Sequence, residues 1–152
     1  MLRRRFTIVR GGGVELPPND EIWYTSSDGE VVMPDRYAVF GANIVSNTYV
    51  NGKGIIKFDG DVASIVDQAF YNCYNLTSIT IPNSVTRIKG GAFYYCAALK
   101  EVICKPTTPP TGGSDMFNGI SSSAKIYVPA GSGYAYRSAQ YWSNYADMIV
   151  EM

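Results

Sequence analysis

The chain has 152 residues, 46% of them hydrophobic, with 13 basic and 13 acidic side chains and no histidine. A length in the roughly 100–200 residue range suits one hydrophobic core, with no need of a disulfide or a metal to fold. Zero formal charge gives no long-range pull toward nucleic acid or an anionic membrane. The missing histidine removes Ser-His-Asp and Cys-His catalysis and the commonest zinc sites.

Residues 1–20 read as a flexible tail, since they hold Arg3 to Arg5, Gly11 to Gly13 and Pro17-Pro18. The apolar run Phe6 to Val9 is broken by Arg10, short of the roughly 7–15 residues of a signal peptide, so no secretion signal is expected within this chain. No stretch approaches the roughly 20 apolar residues that cross a bilayer, so membrane insertion is not expected.

Residues 21–55 suggest a β-rich N-terminal cap made of hairpins. Ile22 to Thr25 and Glu30 to Met33 flank Ser26-Ser27-Asp28-Gly29, and Val45 to Val50 and Ile55 to Phe58 flank Asn51-Gly52.

From residue 56 to 129 the chain repeats. Ile56, Phe58, Val62, Ile65, Ala69 and Phe70 recur 23 positions later as Ile79, Ile81, Val85, Ile88, Ala92 and Phe93. Cys73 and Leu76 recur as Cys96 and Leu99. A degenerate turn follows at a spacing of 24, with Phe117, Ile126 and Val128 after Phe93, Val102 and Cys104. The stretch Lys105 to Gly113, with three prolines, predicts a loop in place of that turn's middle. In each unit Leu76-Thr-Ser-Ile-Thr-Ile reads as a short strand, and Ala92-Phe-Tyr-Tyr-Cys as one helical turn. One such unit cannot bury its own apolar face, so copies must stack. Residues 130–152 supply Tyr134, Tyr136, Tyr141, Trp142, Tyr145 and Ile149, and the spacing of the last three predicts one helical face over the final repeat.

The run from Ala69 to Ile88 resembles the BspA-like leucine-rich repeat, which is abundant in surface proteins of Bacteroides-type bacteria. The ending Ile126-Tyr127-Val128-Pro129-Ala130-Gly131 through Trp142 and Ile149 resembles the segment that closes such arrays. With the repeat reading, the expected fold is β-rich α/β: one domain over 21–152, a short leucine-rich-repeat-like solenoid with parallel repeat strands, a β-hairpin N-terminal cap and an aromatic C-terminal cap. The resemblance implies a secreted or cell-surface location and adhesion to a host or bacterial surface protein or glycan. Without a leader in this chain, a cytoplasmic or phage-associated location is the other expectation. The alternatives in function are a structural part of a phage or mobile-element particle, and a carbohydrate-binding module using Tyr127 and the C-terminal aromatics.

The outward side of the repeat strands is the expected binding face. The 23-residue register puts Lys57, Thr80, Ile103 and Tyr127 in one column, and Ser78, Glu101 and Lys125 in a second column with Ile55. Ile103 and Tyr127 would anchor a partner, with the lysines adding polar contacts. The competing reading is a solvated face on which Glu101 and Lys125 pair. Cys73 and Cys96 share a repeat position, which reads first as a ladder of buried thiols and second as a possible disulfide. Ser122-Ser-Ala-Lys125 matches S-x-x-K but runs into a strand, and Asp59-Gly60-Asp61 offers calcium too few ligands. No catalytic residue, metal or cofactor is expected, nor any nucleic-acid partner.

Overall fold

The computed structural model describes residues 7–8 and 14–152. Its strands are β1 (Thr7–Ile8), β2 (Val14–Glu15), β3 (Glu21–Ser26), β4 (Ile44–Val50), β5 (Lys53–Phe58), β6 (Ser64–Ile65), β7 (Leu76–Ile81), β8 (Arg87–Ile88), β9 (Glu101–Cys104), β10 (Lys125–Val128) and β11 (Ile149–Glu151). A short helix α1 (Gly133–Ser138) and a 3₁₀ segment (Trp142–Met148) precede β11. Seven strands form one sheet in the order β11-β10-β9-β7-β3-β5-β4.

The repeat strands stack as the 23-residue register predicts. β7, β9, β10 and β11 run parallel, with Ile79 beside Val102, Val102 beside Ile126, and Ile126 beside Ile149. A second ladder pairs β6 with β8 in parallel, and Thr111 continues it as a bridge to Arg87. The proline-rich stretch is a loop, as expected, yet its Thr111 keeps the repeat position and hydrogen-bonds both ways: Ile88 N–H to Thr111 O and Thr111 N–H to Thr86 O, each at 2.9 Å. The loop packs through its carbonyls. Pro106 O accepts the Tyr136 hydroxyl at 2.6 Å, and Pro110 O accepts the Trp142 indole N–H at 2.7 Å.

Between the strands and the short ladder runs an aromatic column. The rings of Phe70, Phe93 and Phe117 stack at 5.3 Å intervals, with Phe40 against Phe70 at one end and Trp142 and Tyr145 against Phe117 at the other. All six side chains are buried. Around each ring the turn closes through two residues of left-handed backbone. Gln68, Gly91 and Asp115 precede the phenylalanine by two positions, and Asn72, Tyr95 and Gly119 follow it by two. Positive φ at these points bends a five-residue helical turn back on itself, which costs a non-glycine residue roughly 1–2 kcal/mol.

The first hairpin expectation is overturned and the second stands. β4 and β5 pair around Asn51-Gly52, both at positive φ, the geometry of a tight two-residue hairpin turn. Glu30 to Met33, however, form no strand. Both edges of β3 are already taken, antiparallel by β5 on one side and by β7 on the other, so no ladder position remains. Residues 27–32 fold over instead, with Val32 N–H donating to the Tyr24 hydroxyl at 3.1 Å and Asn47 Nδ2 donating to Val32 O at 2.9 Å.

The expected tail over 1–20 falls partly on residues outside the described ones. Its last four residues are tied to the body: Asn19 O accepts Val62 N–H at 2.8 Å, Asp20 O accepts Phe58 N–H at 2.8 Å, and Lys105 Nζ donates to Pro17 O at 3.3 Å. At the other end no single helix carries Trp142, Tyr145 and Ile149. Tyr141 is left-handed and Tyr145 leaves the helical region, so the segment kinks, and Ile149 ends in β11 instead. Trp142 and Tyr145 still cover the last phenylalanine.

Candidate binding site

The predicted columns divide once the strands are placed. Thr80, Ile103 and Tyr127 do lie side by side, as do Ser78, Glu101 and Lys125. Lys57 does not join Thr80, because β3 is inserted between β5 and β7. Trp23 stands opposite Thr80 on one side and Ile55 on the other, while Lys57 faces Glu21 and sits 3.5 Å from both Glu21 Oε2 and Asp20 Oδ2. Local spacing carried the repeat phase back to residue 56, but it held no record of a strand arriving from residue 21.

The anticipated exposure of this face is also corrected. Tyr127 is 2% exposed, Ile103 5%, and Ser78 and Thr80 7% each. Ile103 and Tyr127 are buried without joining the main core cluster, so their side of the sheet is covered in its own right. Trp23 flanks Thr80 in the sheet, and Lys105, just past the end of β9, donates to Pro17 O. Glu101 is half-buried, and Lys125 and Lys57 are exposed.

The turn edge is open. Tyr71 and Tyr94 occupy one repeat position and stack with centroids 5.7 Å apart, and Tyr95 stacks on Tyr94 at 4.1 Å. Tyr71 is 46% exposed and Tyr95 52%. The backbone beneath them is a hydrogen-bonded ladder: Phe70 N–H to Ala92 O, Asn72 N–H to Tyr94 O, and Tyr95 N–H to Asn118 O, each at 2.7–2.8 Å. Tyr95 is held at φ 59°, where glycine or asparagine is the ordinary occupant. Its ring fills the space over Gly119, where an added Cβ would meet Tyr95 Cδ1 at 2.5 Å. The adjoining Tyr95 phenol raises the Tyr94 phenol above its ordinary pKa. The sequence carried a signal for this edge, the recurrence of Tyr71 at Tyr94. It carried none for the left-handed backbone of Tyr95.

A groove of about 520 Å³ opens where β3 ends and β7 begins, lined by Thr25, Ser26, Ser27, Tyr49, Thr77 and Lys100 among others. Thr25 Oγ1 lies 2.6 Å from both Thr77 Oγ1 and Ser78 Oγ.

Among the described residues no group of three or more histidine, cysteine or carboxylate side chains could hold a metal ion, and no helix is long and apolar enough to cross a membrane. Parallel, in-register strands, with β7 and β9 each followed by a phenylalanine-centred turn, mark a repeat protein. The family model for the BspA-type leucine-rich repeat region matches residues 24–146, with six copies. The chain belongs to the BspA-type leucine-rich repeat family. The match starts inside β3, so it takes in residues 24–55 as well as the repeats read from spacing. Domains of this family are generally protein-interaction modules without enzymatic activity, and they are typically surface-associated. No curated protein matches the chain.

Proposed function

We propose that this BspA-type chain is an adhesion module, a short capped solenoid that recognises a protein or glycan on a host or bacterial surface. One observation carries the reading: Tyr71, Tyr94 and Tyr95 form a stacked row on the turn edge, Tyr71 and Tyr95 exposed and Tyr95 kept in left-handed backbone. Backbone strain is retained where surrounding structure and function both demand it. Tyrosine supplies a large, rigid contact surface with a hydroxyl at its rim and little rotamer entropy to lose. Stacking pre-organises the row, which lowers the ordering cost of binding. In this reading the turn edge takes the primary role, with Lys57, Glu101 and Lys125 reduced to rim contacts and Ser78, Thr80, Ile103 and Tyr127 supporting the sheet from within.

The hydroxyl-lined groove favours a glycan as the second reading, since Thr25, Ser27, Thr77 and Lys100 match the hydrogen-bonding needs of a sugar. The test is binding of the whole chain to immobilised matrix proteins and a glycan array. Tyr71→Ser/Tyr95→Asn removes the row, and the asparagine suits the left-handed position. Thr77→Val/Lys100→Ala removes groove contacts. Loss of a protein ligand only in the tyrosine variant supports the turn edge, and loss of a glycan only in the groove variant supports the second reading. Unchanged binding in both variants, or none in the folded parent, refutes the two surfaces.

A further inference from the structure

The two repeat-equivalent thiols form a pair that the binding role does not use. Cys73 follows Phe70 by three residues and Cys96 follows Phe93 by three, and those rings stack 5.3 Å apart with an angle of 1° between them. The hydrogen bonds Phe70 N–H to Ala92 O and Asn72 N–H to Tyr94 O bind one turn to the next directly before the cysteines. Successive hydrogen-bonded repeats sit about one strand spacing apart, about 4.8 Å, inside the roughly 4.4–6.8 Å Cα window that a disulfide requires. The Cys96 thiol is buried and donates to Phe70 O at 2.9 Å. Cys73 is half-buried, reachable from solvent, with its Sγ 3.8 Å from Met33 O.

We propose that Cys73 and Cys96 are an oxidation site at which a hydroperoxide converts the dithiol to a disulfide joining two successive repeats. The two sulfurs have different roles. The adjacent Cys96 thiol holds the Cys73 thiol below its ordinary pKa, and the adjacent Cys73 together with burial pushes Cys96 up. Cys73, the sulfur that solvent reaches while Cys96 is buried, is the attacking thiolate. Its sulfur forms a bond to the distal peroxide oxygen, the O–O bond breaks, and the leaving oxygen takes a proton to depart as water or alcohol. Cys96 sulfur then displaces the hydroxyl of the Cys73 sulfenic acid, and its own proton leaves with that hydroxyl as water. The pair gives up two electrons and two protons, and the peroxide bond accepts them.

The disulfide replaces two thiol hydrogen bonds to carbonyls. The loss is small, because Phe70 O keeps the Cys73 N–H at 3.2 Å. Cys104 is an internal control, fully buried beside Tyr136 with its thiol also raised by burial, and away from the pair.

The experiment uses the whole reduced chain, treated with hydrogen peroxide and then unfolded for thiol titration and peptide mapping. The expected titre falls from three thiols to one, the mass drops by two hydrogens, and the mapped link joins Cys73 to Cys96. The melting temperature of the oxidised chain rises, and dithiothreitol reverses it. Cys104→Ser keeps the link, Cys96→Ser leaves Cys73 as a trappable sulfenic acid, and Cys73→Ser resists peroxide. A titre that stays at three, oxygen added to Cys73 without a crosslink in the parent, or a link through Cys104 overturns the proposal. The readout needs no ligand, so its failure leaves the adhesion reading untouched.

Discussion

Gly54 in β5 lies directly opposite Tyr24 in β3, and the tyrosine ring rests on it. A Cβ at Gly54 would fall 2.3–2.5 Å from three ring atoms of Tyr24, far inside van der Waals contact. The backbone cannot yield, because β5 is held by β4 on one side and β3 on the other. The ring must move, and the Tyr24 hydroxyl then loses Asn47 Oδ1 at 2.6 Å and Val32 N–H at 3.1 Å. Overpacking of this kind costs about 1–3 kcal/mol. Each lost hydrogen bond adds about 0.5–1.5 kcal/mol. Gly54→Ala is therefore expected to destabilise by about 3 kcal/mol, against an expected total of roughly 5–15 kcal/mol. In a Tyr24→Ala background the sign reverses. With no ring to displace, alanine in a strand is better than glycine by about 0.5–1 kcal/mol. Urea unfolding followed by tryptophan fluorescence, run on both single variants and the double variant, measures this coupling. An equal cost for Gly54→Ala in both backgrounds would refute the reasoning.

Phe93→Ala, in the middle of the aromatic column, should cost about 4 kcal/mol in the same urea assay, since it opens a cavity between two stacked rings. Phe40→Ala at the column's end should cost less, because a neighbour there can partly collapse inward. Trp142→Phe should cost about 1–2 kcal/mol, because it leaves the buried Pro110 O without its donor; thermal melts decide that. The carboxyls of Glu151, Asp28 and Asp59 are held below their ordinary values, Glu151 by the amides of Gly131 and Gly133 and then by Arg137. A depressed folded-state value stabilises above the unfolded carboxylate pKa and is lost as pH falls through the folded one. Stability should therefore decline on the acid side of about pH 4, and Glu151→Gln should flatten that limb in melts taken across the pH range.

What spacing could convey was the interior of the repeat. Phe70, Phe93 and Phe117, the Ile79–Val102–Ile126 row and the Asn51-Gly52 hairpin all rest on neighbours a fixed distance along the chain, and each is where the sequence placed it. The failures at Glu30 to Met33, at Lys57 and on the sheet face share one cause, partners that periodicity does not encode. Trp23 to Thr25 pair with β7 more than 50 positions away, which took the ladder from Glu30 to Met33 and moved Lys57 out of its column. Ser78 and Thr80 alternate with isoleucine and read as a solvent face, although alternation reports only which side a residue points to. Whether that side is covered depends on segments elsewhere. At Tyr95 the sequence offered a tyrosine where the backbone asks for glycine, and the side chain alone gave no hint of it.

The antiparallel β3 also bears on how this molecule assembles in time. Each repeat closes on its predecessor over 23 residues, and β4 meets β5 through a two-residue turn, so both form early. β3 must find β7 across a separation of 53 residues while also meeting β5. Closing the longer loop costs more entropy before any contact repays it. Strand β3 is thus expected to insert late, and substitutions in it, such as Tyr24→Ala, should speed unfolding more than they slow folding, which a chevron analysis in urea checks.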